Sequence, residues 1–183
     1  HSWDKRFASA LYEVWDYRRR YVELVNAAFQ EMFRDIFPTA AKLTISYLPT
    51  LKLPCDSSEE QIELQLKELE SRERQWQRSM VGAHLDDYEF RYQGRRMRSY
   101  SSQGQKRIAV IILKLIQARL IEKVTGIKPI LLFDDIFAEL DSLHALKIRE
   151  CIDNRYQVFI ASPQESIAEI WLDYPILRLR ESV

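Results

Sequence analysis

Apolar residues recur every three or four positions over residues 3–36, and this spacing predicts one long amphipathic helix. Pro38 ends the pattern, because proline lacks the amide hydrogen that a helix interior requires. We expect the apolar stripe to pack in a core and the arginine triplet 18–20 to lie on a solvated face. The stripe comprises Trp3, Phe7, Leu11, Val14, Tyr21, Val25, Ala28, Met32 and Ile36.

Residues 42–76 predict a strand followed by a second helix. Over 42–49 the apolar side chains alternate along the chain, which is typical of a half-buried strand. Ser57 with Glu60 predicts a capping box at the start of the helix, and the expected buried side of that helix carries Ile62, Leu66, Leu69 and Trp76.

A hairpin is predicted directly before the middle of the chain. Tyr88, Phe90 and Tyr92 alternate, and Gln93-Gly94 provides a two-residue turn. The expected return arm carries Arg96, Arg98 and Tyr100.

From Gly104 onward the pattern changes to alternating helices and short apolar strands. A strongly apolar helix extends to Gly126, which is a typical residue for ending a helix. Residues 129–135 predict a strand buried on both faces, 141–152 a helix, 157–161 a second buried strand and 176–180 a last strand. This order predicts an α/β fold with right-handed crossovers between parallel strands. The apolar positions of the first helix are Ile108, Ile111, Ile112, Leu115, Ile116, Leu120 and Val124.

Composition narrows the classes of protein that fit this pattern. The chain has 183 residues of which 46% are hydrophobic, so it can bury a core and is not expected to be disordered. Lys plus Arg and Asp plus Glu both number 27, so nucleic-acid binding would require local basic patches. Two cysteines are too few for a disulfide scaffold, and no apolar stretch reaches transmembrane length.

Two short stretches carry candidate chemistry. Asp134 and Asp135 follow a predicted buried strand, where α/β sheets place metal and phosphate chemistry. One carboxylate there could hold Mg²⁺ and the other could orient or deprotonate a water molecule, while the alternative is that both acids cap the loop and begin the next helix. Ser102 and Gly104 precede a helix, and a helix N-terminus favours a phosphate.

Taken together, these stretches resemble a known family. "SSQGQKR" (101–107) followed by "ILLFDDIFAELD" (130–141) resembles the signature motif, Walker B strand and D-loop of ABC-type ATPases, and more narrowly the RecF family. "VGAHLDDYEF" (81–90) and "YVELVNAAFQEMF" (21–33) are also similar to stretches of that family. The resemblance covers most of the chain and is densest over 81–161.

The resemblance implies a role for each matching residue. In a RecF-like dimer, the signature residues would contact the γ-phosphate of ATP held by the opposite subunit, Asp134 would bind Mg²⁺, and Asp135 would position the hydrolytic water. Asp141 in the D-loop would communicate across the dimer interface, and Ser162 would stand where many ABC ATPases have a histidine. The signature residues are Ser102, Gln103, Gly104 and Gln105.

The resemblance also implies a domain organisation and a biological role. Residues 1–80 would form a mostly helical second-lobe segment with one strand, and 81–183 the C-terminal lobe of an ABC/SMC-type P-loop ATPase head. None of the four glycines is followed by lysine, so the chain has no Walker A motif, and we expect it to be inactive alone as part of a longer protein. The intact protein would be a cytoplasmic homodimer that forms on ATP and hydrolyses it slowly. It would bind gapped DNA or a junction of single- and double-stranded DNA in replication, recombinational repair and the SOS response, with RecO- and RecR-like mediators.

Two questions stay open at this level. Arg91, Arg95, Arg96 and Arg98 lie among tyrosines, a pattern that indicates either a DNA-binding patch or an ordinary solvated hairpin. The alternative functions are another SMC/Rad50-like ATPase head, which would need a longer coiled arm, and a non-enzymatic interaction lobe that keeps the motif shapes.

Overall fold

The structure is a computed structural model, and it describes residues 2–36, 42–54, 57–137, 140–152 and 156–178. Helices and strands are mixed, as the predicted α/β class requires, and a long helix comes first. In chain order the elements are α1 (Ser2–Ile36), β1 (Leu43–Leu48), α2 (Glu59–Trp76), β2 (Asp87–Tyr92), β3 (Arg95–Arg96), α3 (Met97–Tyr100), α4 (Gln103–Thr125), β4 (Leu131–Asp134), α5 (Ser142–Cys151), β5 (Val158–Ala161) and α6 (Ser166–Ile170).

The predicted first helix is confirmed as α1, but its buried stripe differs in part from the expected one. Phe7 is 43% exposed, whereas its neighbour Ala8 is buried, because the helical period brings positions 8, 11 and 15 onto one face. The side chain of Trp3 and the residue Pro38 lie outside the described part of the chain. The buried residues of α1 are Ala8, Leu11, Trp15, Val22, Val25, Phe29, Met32, Phe33 and Ile36.

The chain divides into two compact units. The first contains His1–Ala27 and Leu43–Arg96, and the second contains Ala28–Lys42 and Met97–Val183. The domain boundary expected after residue 80 stays a prediction. Packing alone groups β2 with the first unit, because β2 pairs with β1.

The first unit contains an antiparallel sheet with the order β1-β2-β3. Leu43 and Ile45 are buried on one face of β1, which confirms the predicted half-buried strand. The predicted turn is also present, since Gln93 and Gly94 have φ angles of 50° and 75°, the left-handed pair that a tight hairpin requires.

The return arm of this hairpin is shorter than expected. Strand β3 contains only Arg95–Arg96, and the prediction that Arg98 and Tyr100 lie on the same arm is wrong because both belong to α3. The chain turns into this short helix at Met97, whose side chain is buried.

Helix α2 begins one residue later than the predicted capping box. Ser58 is the N-cap, and its amide donates to Oε1 of Gln61 at 2.8 Å, while Ser57 is buried. Ile62 belongs to the core of this unit, and Leu66 and Leu69 pack against it, as predicted. Trp76 was expected to be buried but is 64% exposed, because it is the last residue of the helix. The core comprises Ala8, Leu11, Trp15, Leu51, Ile62 and Val81.

The second unit is organised around α4. Its predicted apolar face is buried as far as Ile116, whereas Val124 near the helix end is 83% exposed. Gly126 adopts a left-handed φ of 71°, and its amide donates to the Glu122 carbonyl at 2.8 Å, so the predicted helix end is confirmed. The buried residues are Ile108, Ala109, Ile111, Ile112, Leu115, Ile116 and Ala118.

Strands β4 and β5 pair in parallel, in the register that aligns Asp134 with Ala161. Burial of β4 on both faces is not observed. Leu132 is 74% exposed, and its neighbour Phe159 on β5 is 53% exposed, whereas Leu131 and Phe133 are buried on the opposite face. The predicted last strand is not formed over residues 176–178, and residues 179–180 lie outside the described part.

Candidate functional site

The Ser-Gln-Gly-Gln stretch forms the N-terminus of α4. Ser102 is the N-cap, and its hydroxyl accepts a hydrogen bond from the Gln105 amide at 3.2 Å. In return, the Ser102 amide donates to Oε1 of Gln105 at 3.1 Å. This reciprocal capping box fixes the direction of the helix entry and occupies the side chain of Gln105.

This entry has a solvent-facing side. Ser102 and Gln103 are exposed, and Gly104 and Gln105 are half-buried. Gly104 is not among the residues with positive φ, so its contribution would be the missing side chain and not a special backbone angle. The amides of Gln103 and Gly104 belong to the first helical turn, which has no intrahelical acceptor for its amides. The arrangement can therefore present amides and a hydroxyl to an anion.

The two acids lie where β4 ends. Asp134 and Asp135 are both exposed, and within the described residues neither carboxylate makes a hydrogen bond or an ion pair. The Asp135 amide donates to the Ala161 carbonyl at 2.9 Å, which extends the ladder between β4 and β5 by one bond. Asp135 has a φ of 48°, in the left-handed region that is unusual for a residue other than glycine.

Ser162 follows β5 at the same end of the sheet. It comes directly after Ala161, the residue aligned with Asp134. Its hydroxyl accepts a hydrogen bond from the Gln164 amide at 3.2 Å and so shapes the turn that follows the strand.

Asp141 is the N-cap of α5. Asp134 and Asp135 therefore do not begin this helix, which was the alternative role considered for them. Oδ1 of Asp141 accepts from the His144 amide at 3.0 Å, and its Oδ2 lies 2.6 Å from His144 Nδ1. The bond from the His144 amide is the main cause that lowers the pKa of Asp141. Residues 138 and 139, in the stretch that resembles a D-loop, lie outside the described part.

A basic residue joins the start of α4 to the end of β4. Arg107 donates from Nη1 to the carbonyl oxygen of Asp135 at 3.1 Å. The adjacent Lys106 donates instead to the Arg98 carbonyl at 3.0 Å. The sequence did not predict these bonds. Its only indication of them was the pair of basic residues one turn into the helix.

The acids fit one kind of metal ion. Across the described ranges, no group of three His, Cys, Asp or Glu side chains could hold a metal ion. Asp134 and Asp135 nevertheless offer adjacent, exposed oxygen ligands. That suits Mg²⁺, which takes one or two carboxylates from a protein and completes its shell with phosphate oxygens and water.

The predicted basic patch is divided between the two compact units. In the first unit, Glu89 pairs with Arg91. It also pairs with Arg96, whose Nε lies 2.5 Å from Glu89 Oε1. Arg95 and Arg96 are exposed on the hairpin. Arg98 is exposed on α3 of the second unit. Glu89 therefore offsets part of the positive charge of the hairpin.

A buried acid of the first unit was missed by sequence reasoning. The side chain of Asp86 has no exposed surface and accepts hydrogen bonds from Trp15 at 3.2 Å and Arg18 at 3.0 Å. It also accepts from the Tyr47 hydroxyl and, at 2.7 Å each, from the amide and hydroxyl of Thr50. Asp86 therefore connects α1, β1 and the loop after β1.

Among the described residues, no helix has both the length and the apolarity needed to cross a bilayer.

Curated proteins similar to this chain carry the name DNA replication and repair protein RecF. The protein from Rippkaea orientalis is 37% identical over 165 residues, which cover 88% of this chain and 43% of the relative. The protein from Crocosphaera subtropica is 35% identical over 163 residues, and that from Streptococcus gordonii 36% over 168 residues. The match covers 87% of this chain in both cases, with 43% of the first and 46% of the second relative. No family model matches the chain.

Solved structures of the recombination mediator protein RecF in the RecFOR pathway are similar as well. The structure with ATP gives a TM-score of 0.73 at 28% identity and covers 90% of this chain and 46% of that one. The structure with ATPrS gives a TM-score of 0.72 at the same identity. The chain thus spans about half the length of the proteins that it matches.

Proposed function

Because the chain is related to RecF proteins and corresponds to their C-terminal portion, we propose that it supplies the signature, Walker B and D-loop elements of an ATP-dependent DNA-binding ATPase. One observation carries the proposal most directly. An exposed helix entry at Ser102 and exposed acids at Asp134 and Asp135 belong to one compact unit, and Arg107 joins them through the Asp135 carbonyl.

The helix entry is the part suited to a phosphate. The Ser102 hydroxyl and the first amides of α4 would contact the γ-phosphate of ATP held by the opposite subunit. The positive end of the helix dipole favours the anion there, and the missing side chain of Gly104 allows close approach. ATP would thereby bridge two copies of the protein, and this would make dimerisation depend on ATP.

The acids are the part suited to hydrolysis. Bound Mg²⁺ would supply charge neutralisation on the phosphates, with Asp134 as its protein ligand. The Asp135 carboxylate would accept a hydrogen bond from the attacking water and orient it. Asp141 would make a contact across the dimer interface. Ser162 would contact phosphate in place of the histidine that many ABC ATPases have there.

The exposed face of the parallel sheet supports the proposal that this chain alone holds only part of the site. Parallel strands are normally covered on both faces, yet Leu132 and Phe159 lie side by side and exposed. We expect the N-terminal portion found in the relatives to cover this face and to bring a Walker A motif. Phosphate release from ATP by the purified chain alone should therefore be undetectable, and turnover that Asp135→Asn abolishes would contradict this.

The role in the cell follows from the same relationship. The intact protein would bind gapped DNA, act in recombinational repair and replication, and work with RecO- and RecR-like mediators. A cytoplasmic location and a place in the SOS response are parts of this proposal.

The experiment that tests the proposal measures dimerisation. It uses a full-length chimera in which the N-terminal portion of the Rippkaea orientalis protein precedes this chain. With ATP the unaltered chimera should sediment as a dimer. Ser102→Arg should remain monomeric yet still bind ATP, because the new side chain fills the γ-phosphate position.

The matched control places the same arginine far along the same helix. Val124 is 83% exposed on α4, so Val124→Arg should dimerise normally. The proposed role of the helix entry is wrong if Ser102→Arg dimerises like the control, or if the unaltered chimera stays monomeric with ATP.

A further inference from the structure

We propose that Arg107 is a positioning residue for ATP hydrolysis, because it holds the backbone of Asp135 from the start of α4. The inference rests on the proposed function, in which Asp135 orients the attacking water. It assigns to Arg107 a role beyond helix stability or DNA contact.

The backbone of Asp135 is held on both sides. Its amide donates to the Ala161 carbonyl at 2.9 Å, and its carbonyl accepts from Arg107 Nη1 at 3.1 Å. The first bond fixes the residue to β5, and the second fixes it to α4. With both peptide planes held, the direction in which the Asp135 carboxylate leaves the chain is set by the scaffold.

The conformation of Asp135 makes this second bond consequential. Its φ of 48° lies in the left-handed region, which costs residues with a side chain about 1 kcal/mol. The surrounding bonds must offset that cost, and the Arg107 bond is one of them. Without it, we expect the segment after β4 to sample other backbone angles and the carboxylate to leave its working position.

Arginine suits this function better than lysine. Its guanidinium is always charged and presents five N–H donors in a planar fork, so the bond to a carbonyl persists at any physiological pH. Lysine has one flexible terminal donor group and would hold the carbonyl less rigidly. The neighbouring Lys106 is committed to the Arg98 carbonyl and does not duplicate the contact.

Arg107 also connects the helix entry with the end of β4. It follows the capping box of Ser102 on the same helix, so the helix entry and the water-orienting residue share one rigid connection. Because the Ser102 cap is held by its own hydrogen bonds with Gln105, loss of the Arg107 side chain should change the geometry at the acid and leave the helix entry intact.

The kinetic test uses the full-length chimera. Arg107→Ala should lower kcat for ATP hydrolysis by about 10- to 100-fold, the range expected for a small misplacement of a reacting group. KM for ATP and ATP-dependent dimerisation should stay unchanged, and Arg107→Lys should recover part of the lost rate.

A matched control comes from the same helix. Arg119 also donates to a backbone carbonyl, that of Cys151, at 3.4 Å. Arg119→Ala removes the same charge and the same kind of bond. Because the lost bond does not involve Asp135, this variant should leave kcat unchanged. Equal losses in the two variants would overturn the specific role of Arg107.

The outcomes separate this inference from the proposed function. If Asp135→Asn hydrolyses ATP at the full rate, the proposed function fails. If Asp135→Asn is inactive while Arg107→Ala keeps the full kcat, only the positioning role fails. Loss of dimerisation in Arg107→Ala would overturn it too, because Arg107 would then belong to the phosphate contact.

Amide exchange gives a readout that does not depend on turnover. In the same chimera, Arg107→Ala should raise hydrogen–deuterium exchange of the segment 134–137 by about 10-fold, since loosened segments open more often. The buried part of α4 around Ile111 and Ile112 should keep its protection. Unchanged exchange over 134–137 would contradict the idea that Arg107 holds this backbone.

Discussion

Trp15 donates its indole hydrogen to Asp86 across 3.2 Å, although 71 positions separate the two residues along the chain. The bond ties α1 to the segment that leads into β2. Arg18, Tyr47 and Thr50 converge on the same carboxylate, so one buried acid fixes the packing of the first unit.

Asp86→Asn should destabilise the protein clearly. The amide nitrogen that replaces one carboxylate oxygen can only donate. At the Oδ2 position it would leave the Trp15, Arg18 and Tyr47 donors without an acceptor. At the Oδ1 position it would do the same to the amide and hydroxyl of Thr50. We expect the free energy of unfolding in urea to fall by about 2 kcal/mol or more, because bonds to a charged acceptor are worth more than neutral ones.

The adjacent acid provides the control for this substitution. Asp87 is exposed at the start of β2, so Asp87→Asn should change the free energy of unfolding by less than about 0.5 kcal/mol. Equal effects of the two substitutions would show that the buried network does not stabilise the unit.

Stability should also depend on the protonation of Asp86. Burial by itself raises the pKa of this carboxyl, but hydrogen bonds from Tyr47, Thr50 and Trp15 outweigh burial and hold the pKa below the ordinary value of 3.8. A pKa that is lower in the folded state stabilises the protein above 3.8, and this contribution is lost as pH falls through the folded-state value.

The measurement compares unfolding of the wild type and Asp86→Asn in urea at several pH values. The difference in free energy should be constant from neutral pH to about 5 and should shrink as the solution becomes more acidic. A difference that stays constant throughout the acid range would contradict the assigned pKa direction.

The sequence predicts best those features that depend on neighbouring residues. The helix start at Ser102 and the helix end at Gly126 are encoded by local capping chemistry, and both are found in the structure. The strand ending at Asp134 is likewise recognisable from its short apolar run.

Features that depend on distant residues could not be predicted in this way. The packing role of Asp86 depends on groups from three separate segments, and the proposed role of Arg107 depends on the position of β4 relative to α4. An apolar run cannot tell which of its faces is covered, so Leu132 was expected inside and lies exposed. Trp76 fits the helical period, but it is exposed where that helix ends.

Two substitutions of Asp141 should distinguish its role as a helix cap from its proposed role at the dimer interface. Asp141→Ala removes the N-cap of α5 and should lower the free energy of unfolding by about 1 kcal/mol. Asp141→Asn retains a capping oxygen and should stay within about 0.5 kcal/mol of the wild type in thermal unfolding.

The cross-dimer role then requires a second effect of Asp141→Asn. In the full-length chimera this variant should weaken ATP-dependent dimerisation despite its normal stability. If it dimerises like the wild type, Asp141 serves as a helix cap and the proposed contact across the interface is wrong.

Arg95 should contribute to DNA binding through charge. In the chimera, Arg95→Ala should weaken binding to a gapped duplex and reduce the slope of log K against log salt by about 0.9, the value for one phosphate contact. Arg72 is exposed on α2, so Arg72→Ala serves as a matched loss of charge and should leave the slope unchanged. Identical salt slopes for both variants would contradict a hairpin contact with DNA.

The most direct measurement is the rate of phosphate release from ATP by the full-length chimera with and without Asp135→Asn. If Asp135 orients the attacking water, the variant should lose about 100-fold or more of the rate while it still dimerises with ATP. Phosphate release by Asp135→Asn at the wild-type rate would contradict the assignment of the hydrolytic site to the end of β4.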